Sequence, residues 1–216
     1  MSAVVPDRAA LSGLFSGVAF LGGVAGGLVS SDAPYPRPGA DLSTIRRYFQ
    51  DNSRSARISA AGQLASAVTL ARFTASVVAL AGRSGRGAPM LQAVAATGGA
   101  LASASLAASG ACAAALSAAP GRDDARTTRL HRQAFLAGGI LHGLGFGLLV
   151  GALGVAGRRT GALPTALDRT ALCSGVASVA SPLYLAAPST GLLIPAGRFS
   201  GLVVNGIAGV LLARRP

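Results

Sequence analysis

The sequence predicts an all-α protein, a polytopic transmembrane helix bundle of about six spans, on three observations. Apolar residues make up 51% of the 216 and charged residues only 12%, where a soluble domain carries roughly 25%. The apolar residues gather into runs of roughly 20, the length that crosses a hydrocarbon layer about 30 Å thick. The bulky side chains that build a water-soluble core are scarce, with aromatics at 5%, tryptophan absent and alanine and glycine supplying much of the apolar count. About six spans with short connections use nearly the whole chain, so one membrane domain covers 1–216.

The first apolar run, about 9–29, follows Pro6, Asp7 and Arg8. It reads as an anchor; the alternative, a cleaved signal peptide, has a shorter apolar region and a more basic start. A polar connection over 30–57 carries prolines at 34, 36 and 38. Within it Asp41 is placed to cap a short helix over 41–52, whose Leu42, Ile45, Tyr48 and Phe49 recur at spacings of three and four, opposite Arg46 and Arg47. That pattern predicts a helix lying flat on the membrane interface. Further spans are predicted at 58–82, 89–119, 133–157 and 170–187, with a polar connection from Gly121 to Arg132 between the third and fourth. Pro182, Pro188, Pro195 and Arg198 interrupt the region before the last span, which is therefore placed at 197–213. Broken backbone at that depth requires cover from protein or a water-filled cavity.

An internal match at an offset of about 75 residues suggests a parallel repeat of a helical hairpin. Arg54 and Arg57 align with Arg129 and Arg132, Ala81, Gly82 and Arg83 with Ala156, Gly157 and Arg158, Pro89 with Pro164, and Pro120 with Pro195.

The formal charge of +12 comes from 19 arginines, with no lysine, against seven aspartates. A genome rich in G and C accounts for the arginine bias. The arginines lie between apolar runs, where they meet lipid headgroups, so the partners implied are membrane lipids and not nucleic acid. Arg8, Arg83, Arg86, Arg158, Arg159, Arg169, Arg214 and Arg215 sit in tight loops and at the chain ends, which predicts a multi-pass cell-membrane protein with both termini cytoplasmic. Cys112 and Cys173 are the only cysteines, without a C-x-x-C pair or a histidine at ligand spacing, so no metal or cofactor is signalled.

At Arg158, Arg159, Thr160, Gly161, Ala162, Leu163 and Pro164 the sequence resembles a large group of uncharacterised actinobacterial multi-helix integral membrane proteins, which carry a similar Arg-Thr-Gly-Ala-Leu-Pro turn between two spans. Their first extracytoplasmic connection, with a short acidic and aromatic helix, is also similar to Asp41 to Asn52. The resemblance implies an architecture over most of the chain and no activity.

Three side chains are candidates for a ligand site. Arg72 falls near the middle of the second span, where a charged side chain costs at least roughly 2.5 kcal/mol. The polar side chains available to it are His142, Asn205, Gln63 and Thr69, and a helical rise of about 1.5 Å per residue places His142 within its reach. Two readings stand: Arg72 snorkels to the cytoplasmic headgroups, or it lines one polar cavity with His142 and Asn205. Gly139, Gly143, Gly147 and Gly151 recur every four residues in the fourth span and predict a close helix contact, with Gly138 off that row. There is no G-x-S-x-G, no H-E-x-x-H and no pair of carboxylates set for acid–base work; Asp123 and Asp124, flanked by arginines, read as a solvated turn. The leading functional reading is a structural or partner-binding membrane protein, with a protein partner or a homo-oligomer. The alternative is a carrier or binder of a small molecule or lipid, using a cavity near Arg72, His142 and Asn205.

Overall fold

The computed structural model describes residues 7–118 and 123–215. Pro6, the expected third-span end at Ala119, Pro120 of the repeat, and Gly121 and Arg122 of the connection lie outside them. Among the described residues the elements are helical and no strand occurs.

A 3-10 turn, Arg8–Leu11, leads into α1, Ser12–Val29; Asp7 caps the turn by accepting from Ala9 N at 3.1 Å. The next helix, α2, spans Leu42–Asp51, and Asp41 caps it by accepting from Ser43 Oγ at 2.6 Å, Thr44 N at 2.9 Å and Thr44 Oγ1 at 2.7 Å. Those three bonds, that of Ser43 foremost, hold the Asp41 carboxyl well below the usual carboxylate range. The apolar face of α2 does not lie on lipid as expected. Ile45, Tyr48 and Phe49 are buried with Ala56 of α3 (Ser53–Gly82) and Leu116 of α4 (Ala88–Ala118), and Tyr35 closes the cluster edge-on to Tyr48 and Phe49.

Residues 124–132 are helix rather than connection. Asp123 accepts from Arg126 N at 3.0 Å and starts α5, Asp124–Phe135, which holds no helix breaker and runs through a π-turn, Leu136–Leu141, into α6, His142–Thr160. Arg46 of α2 pairs with Asp124 of α5. The turn to α7, Thr165–Val179, passes Gly161 at φ 63°, a left-handed value that glycine adopts without strain.

The fifth pass departs from the expected 170–187. At about 1.5 Å per residue the 15-residue α7 covers only about 22 Å of a hydrocarbon layer about 30 Å thick, and the chain continues through 3-10 turns at Ser181–Leu185 and Pro188–Leu192. At the repeat offset, Pro182 and Pro188 stand where the unbroken α4 has Ala107 and Ala113, and proline removes a helical donor and clashes with the preceding turn. The last helix, α8, begins before the expected residue 197 and spans Leu193–Arg214. Among the described residues five helices are long and apolar enough to cross a membrane: Arg8–Val29, Ser53–Gly82, Ala88–Ala118, Asp124–Thr160 and Ser189–Arg214. The chain is a helical membrane protein whose remaining pass is divided.

Successive passes α1, α3, α4, α6, α7 and α8 pack in chain order, and α8 closes the ring against α1. α6 also touches α3 and α8, so it fills the centre with Phe146, Leu149 and Leu153 and leaves no axial channel along these residues. Glycine sets the helix spacing: a Cβ on Gly23 of α1 would stand 2.7 Å from Gly62 Cα of α3, and one on Gly145 of α6 would stand 2.7 Å from Gly98 O of α4. Cys112 is half-buried, Cys173 is exposed, and both are free thiols.

This connectivity puts the α3–α4 and α6–α7 turns at one end and the α2 connection with the start of α5 at the other. Reporter fusions after residue 85 and after residue 160 should therefore read the same side, and fusions at residues 40 and 125 the opposite one. Disagreement between the fusions at 40 and 125 would break the pass order.

Candidate functional site

The polar groups of the bundle gather around the π-turn. Its sequence, Leu136, Ala137, Gly138, Gly139, Ile140 and Leu141, contains two adjacent glycines, whose missing Cβ atoms relax the crowding that a wide turn imposes. A π-turn loosens the regular carbonyl ladder, and three neighbouring elements supply donors to the carbonyls here. Ser109 of α4 donates to Ala134 O at 2.9 Å, Arg198 of α8 donates through Nη2 to Gly138 O, and Ser181 of the 3-10 turn donates to Ile140 O at 3.5 Å. The Arg198 guanidinium lies 5.1 Å from the centre of the Phe20 ring on α1, within cation–π range, while its Nε is buried without a hydrogen bond.

His142 follows the turn. Its Nδ1 donates to Ala102 O of α4 at 2.9 Å, and its ring stacks on Phe146 with centroids 5.4 Å apart. Asn205 lies two turns beyond Arg198 on the same face of α8, fully buried, with no hydrogen bond to either side-chain polar atom. His142 and Asn205 are thus interior residues. Arg72 is not one of them: its side chain is exposed on the outer surface of α3, and none of its polar atoms bonds to His142 or Asn205. The expected cavity of Arg72, His142 and Asn205 is replaced by an interior cluster of Arg198, His142 and the π-turn carbonyls. The signal for Arg198 was present, an arginine inside an apolar run between prolines, but it reads equally as a helix boundary.

The glycine row divides in a similar way. A Cβ on Gly147 would stand 2.6 Å from Gly175 O, and one on Gly143 would stand 2.7 Å from Ser181 Oγ, so both seat α7 and the segment after it. Gly139 meets only its own helix's Phe135, because the π-turn shifts its register, and Gly151 has nothing within 4 Å of the added carbon. Gly138, off the row, is also tight, with a Cβ only 2.9 Å from that of Ser109.

No family profile, curated protein or solved structure matches this chain.

The interior cluster offers donors and one imidazole and lacks an acid. Its bonds close mainly onto the backbone of the bundle itself. The outward surface of α3 is arranged differently: Ala61, Ala65, Val68, Arg72, Ala75 and Ala79 are all exposed and follow one another at spacings of four and three in alternation. That spacing keeps one seam of a helix facing a partner that coils around it, and small side chains let the two backbones approach.

Proposed function

We propose that the chain is a multi-pass cell-membrane protein that binds a partner transmembrane helix along the outer face of α3, with Arg72 as the specificity element. The carrying observation is Arg72 itself, an exposed guanidinium without a hydrogen bond or ion pair among the described residues, in the middle of a seam of small side chains. It stands about ten residues before the end of α3 at Gly82, about 15 Å at the rise of an α-helix, farther than its own side chain extends. A charge at that depth is costly in lipid, and a carboxylate on a partner helix removes the cost. The aspartates of this chain lie in connections or near helix ends, Asp124 at the start of α5 and Asp168 in the first turn of α7 included, so a second copy offers no carboxylate at mid-span and the partner is a different protein. Both termini are assigned to the cytoplasm, since the tight turns and chain ends at that end carry Arg83, Arg86, Arg158, Arg159, Arg214 and Arg215.

The test uses a synthetic transmembrane peptide of leucine and alanine with one glutamate at mid-span, labelled for energy transfer to the purified protein in liposomes. Association is expected that needs both the glutamate and Arg72, and that is weakened by Ala75→Phe on the seam. Equal association of a glutamine peptide, or of the Arg72→Leu protein, would refute the proposal.

A further inference from the structure

At the end of the bundle that carries α2, two adjoining cavities of about 330 and 620 Å³ share Pro38 and Tyr184 as lining. They lie between the connection before α2, the last turns of α5 and the 3-10 turns that follow α7. The lining combines two chemistries. Arg37 borders the larger cavity, and His131 and Arg132 border the smaller; no carboxylate lines either one. The side chains of Arg37 and Arg132 have no hydrogen bond or ion pair among the described residues, whereas the nearby Arg46 is held by Asp124. The floor of the smaller cavity is apolar, built from Ile45, Phe135 and Leu136.

The walls are held by contacts independent of any ligand. His131 is buried, its Nε2 donates to Pro36 O at 3.3 Å, and its ring stacks on Tyr35 with centroids 5.9 Å apart, which ties the connection before α2 to α5. Phe135 and Tyr184 rings, 5.9 Å apart, join α5 to the 3-10 turn. Pro182 and Pro188 create this site indirectly, since an unbroken fifth helix would not turn Tyr184 and Ser189 back toward Arg37.

From this geometry we infer a binding site for an anionic amphiphile, a phosphate or carboxylate group attached to an apolar chain or ring. Arg37 and Arg132, one at each adjoining cavity with no carboxylate in either lining, favour an anion, for which their planar donor sets are suited. The aromatic and aliphatic floor selects an apolar body, and the smaller cavity lies within the range of roughly 300–1,000 Å³ typical of small-molecule pockets. The inference stands apart from the α3 seam and from Arg72.

Decyl phosphate serves as the probe, titrated onto the protein in phosphatidylcholine nanodiscs against empty discs. The protein has three tyrosines and no tryptophan, and Tyr184 lines both cavities while Tyr35 stacks on His131, so a change in tyrosine emission reports on the site, with Tyr184→Phe as the control. Saturable binding is expected, weakened about tenfold or more by Arg37→Gln with Arg132→Gln and unchanged by Arg83→Gln at the opposite end. Thermal unfolding without ligand confirms that the double variant is folded, and Arg132→Gln alone provides a milder second variant with a smaller loss. Equal affinity in the double variant and in Arg83→Gln would overturn the site, as would binding of decanol as tight as that of decyl phosphate. Inorganic phosphate binding as tightly as decyl phosphate would overturn the amphiphile. Discs doped with phosphatidylglycerol distinguish the source: competition assigns the ligand to the bilayer, lack of competition assigns it to a soluble amphiphile, and the site stands in both cases.

Discussion

Gly147→Ala is expected to destabilise the bundle by about 1–3 kcal/mol and Gly147→Leu by more, while Gly151→Ala leaves stability unchanged or raises it. The two glycines share one row on α6, so the difference isolates what each faces. At Gly147 an added carbon would stand 2.6 Å from Gly175 O, 2.7 Å from Val179 N and 2.8 Å from Ser178 Cβ. Two of these are backbone atoms of α7 and cannot rotate away, so the whole helix must retreat. α7 is the shortest of the membrane helices at 15 residues, and its packing on α6 is a large part of what holds it. At Gly151 nothing lies within 4 Å of the added carbon, and alanine has the higher helix propensity. Unfolding in detergent, followed by circular dichroism, checks the pair. Equal losses at 147 and 151 would contradict the contact with α7.

The second large effect distinguishes two arginines that hydropathy treats alike. Arg198→Leu is expected to cost about 1.5–3 kcal/mol, because it leaves Gly138 O in the π-turn without its charged donor. Arg72→Leu is expected to hold stability or raise it, since no group among the described residues bonds to that side chain and leucine suits the lipid-facing surface of α3. His142→Leu should couple to Arg198→Leu, because Arg198 holds the π-turn that ends at His142, and should add to Arg72→Leu within about 0.5 kcal/mol. Thermal unfolding of the single and double variants measures both cycles. Coupling of His142 to Arg72 above that level would restore the cavity drawn from the sequence, and the absence of coupling to Arg198 would remove the cluster at the π-turn.

The order of elements was legible where the cause is local. Hydropathy and run length identified an all-α membrane bundle, and the Asp41 cap was readable because an N-cap acts within about one turn of its own helix. Pro182 and Pro188 announced a broken pass, because proline acts on its own turn. The helical character of Asp124 to Arg132 was missed, since its polarity resembles a loop until Asp123 is seen capping it and α2 is seen packed beside it. Likewise the apolar face of α2 has the same pattern whether lipid or protein covers it.

By itself, the sequence determined that the chain is a bundle of apolar helices and where α1, α3, α4 and α6 run; only the tertiary structure decided which way each residue faces around its helix axis. α3 shows why. Its buried side includes Ala56, Ala60, Ala67 and Ala81 beside Leu70, Phe73, Val77 and Leu80, and its exposed side Ala61, Ala65, Ala75 and Ala79 beside Leu64 and Val68, so apolar residues occur all round the helix and hydropathy alone does not orient Arg72. In lipid the outward side chains need be no more polar than the inward ones, which removes the amphipathic signal that orients helices in water. The glycine row suffered from a related cause: a four-residue spacing marks one face only while the helix keeps its regular turn, and the π-turn at Leu136–Leu141 carries Gly139 out of register. Arg198, near the opposite end of the chain from Phe20 and bonded to Gly138 O, joined the polar cluster only because α8 closes the ring between α7 and α1.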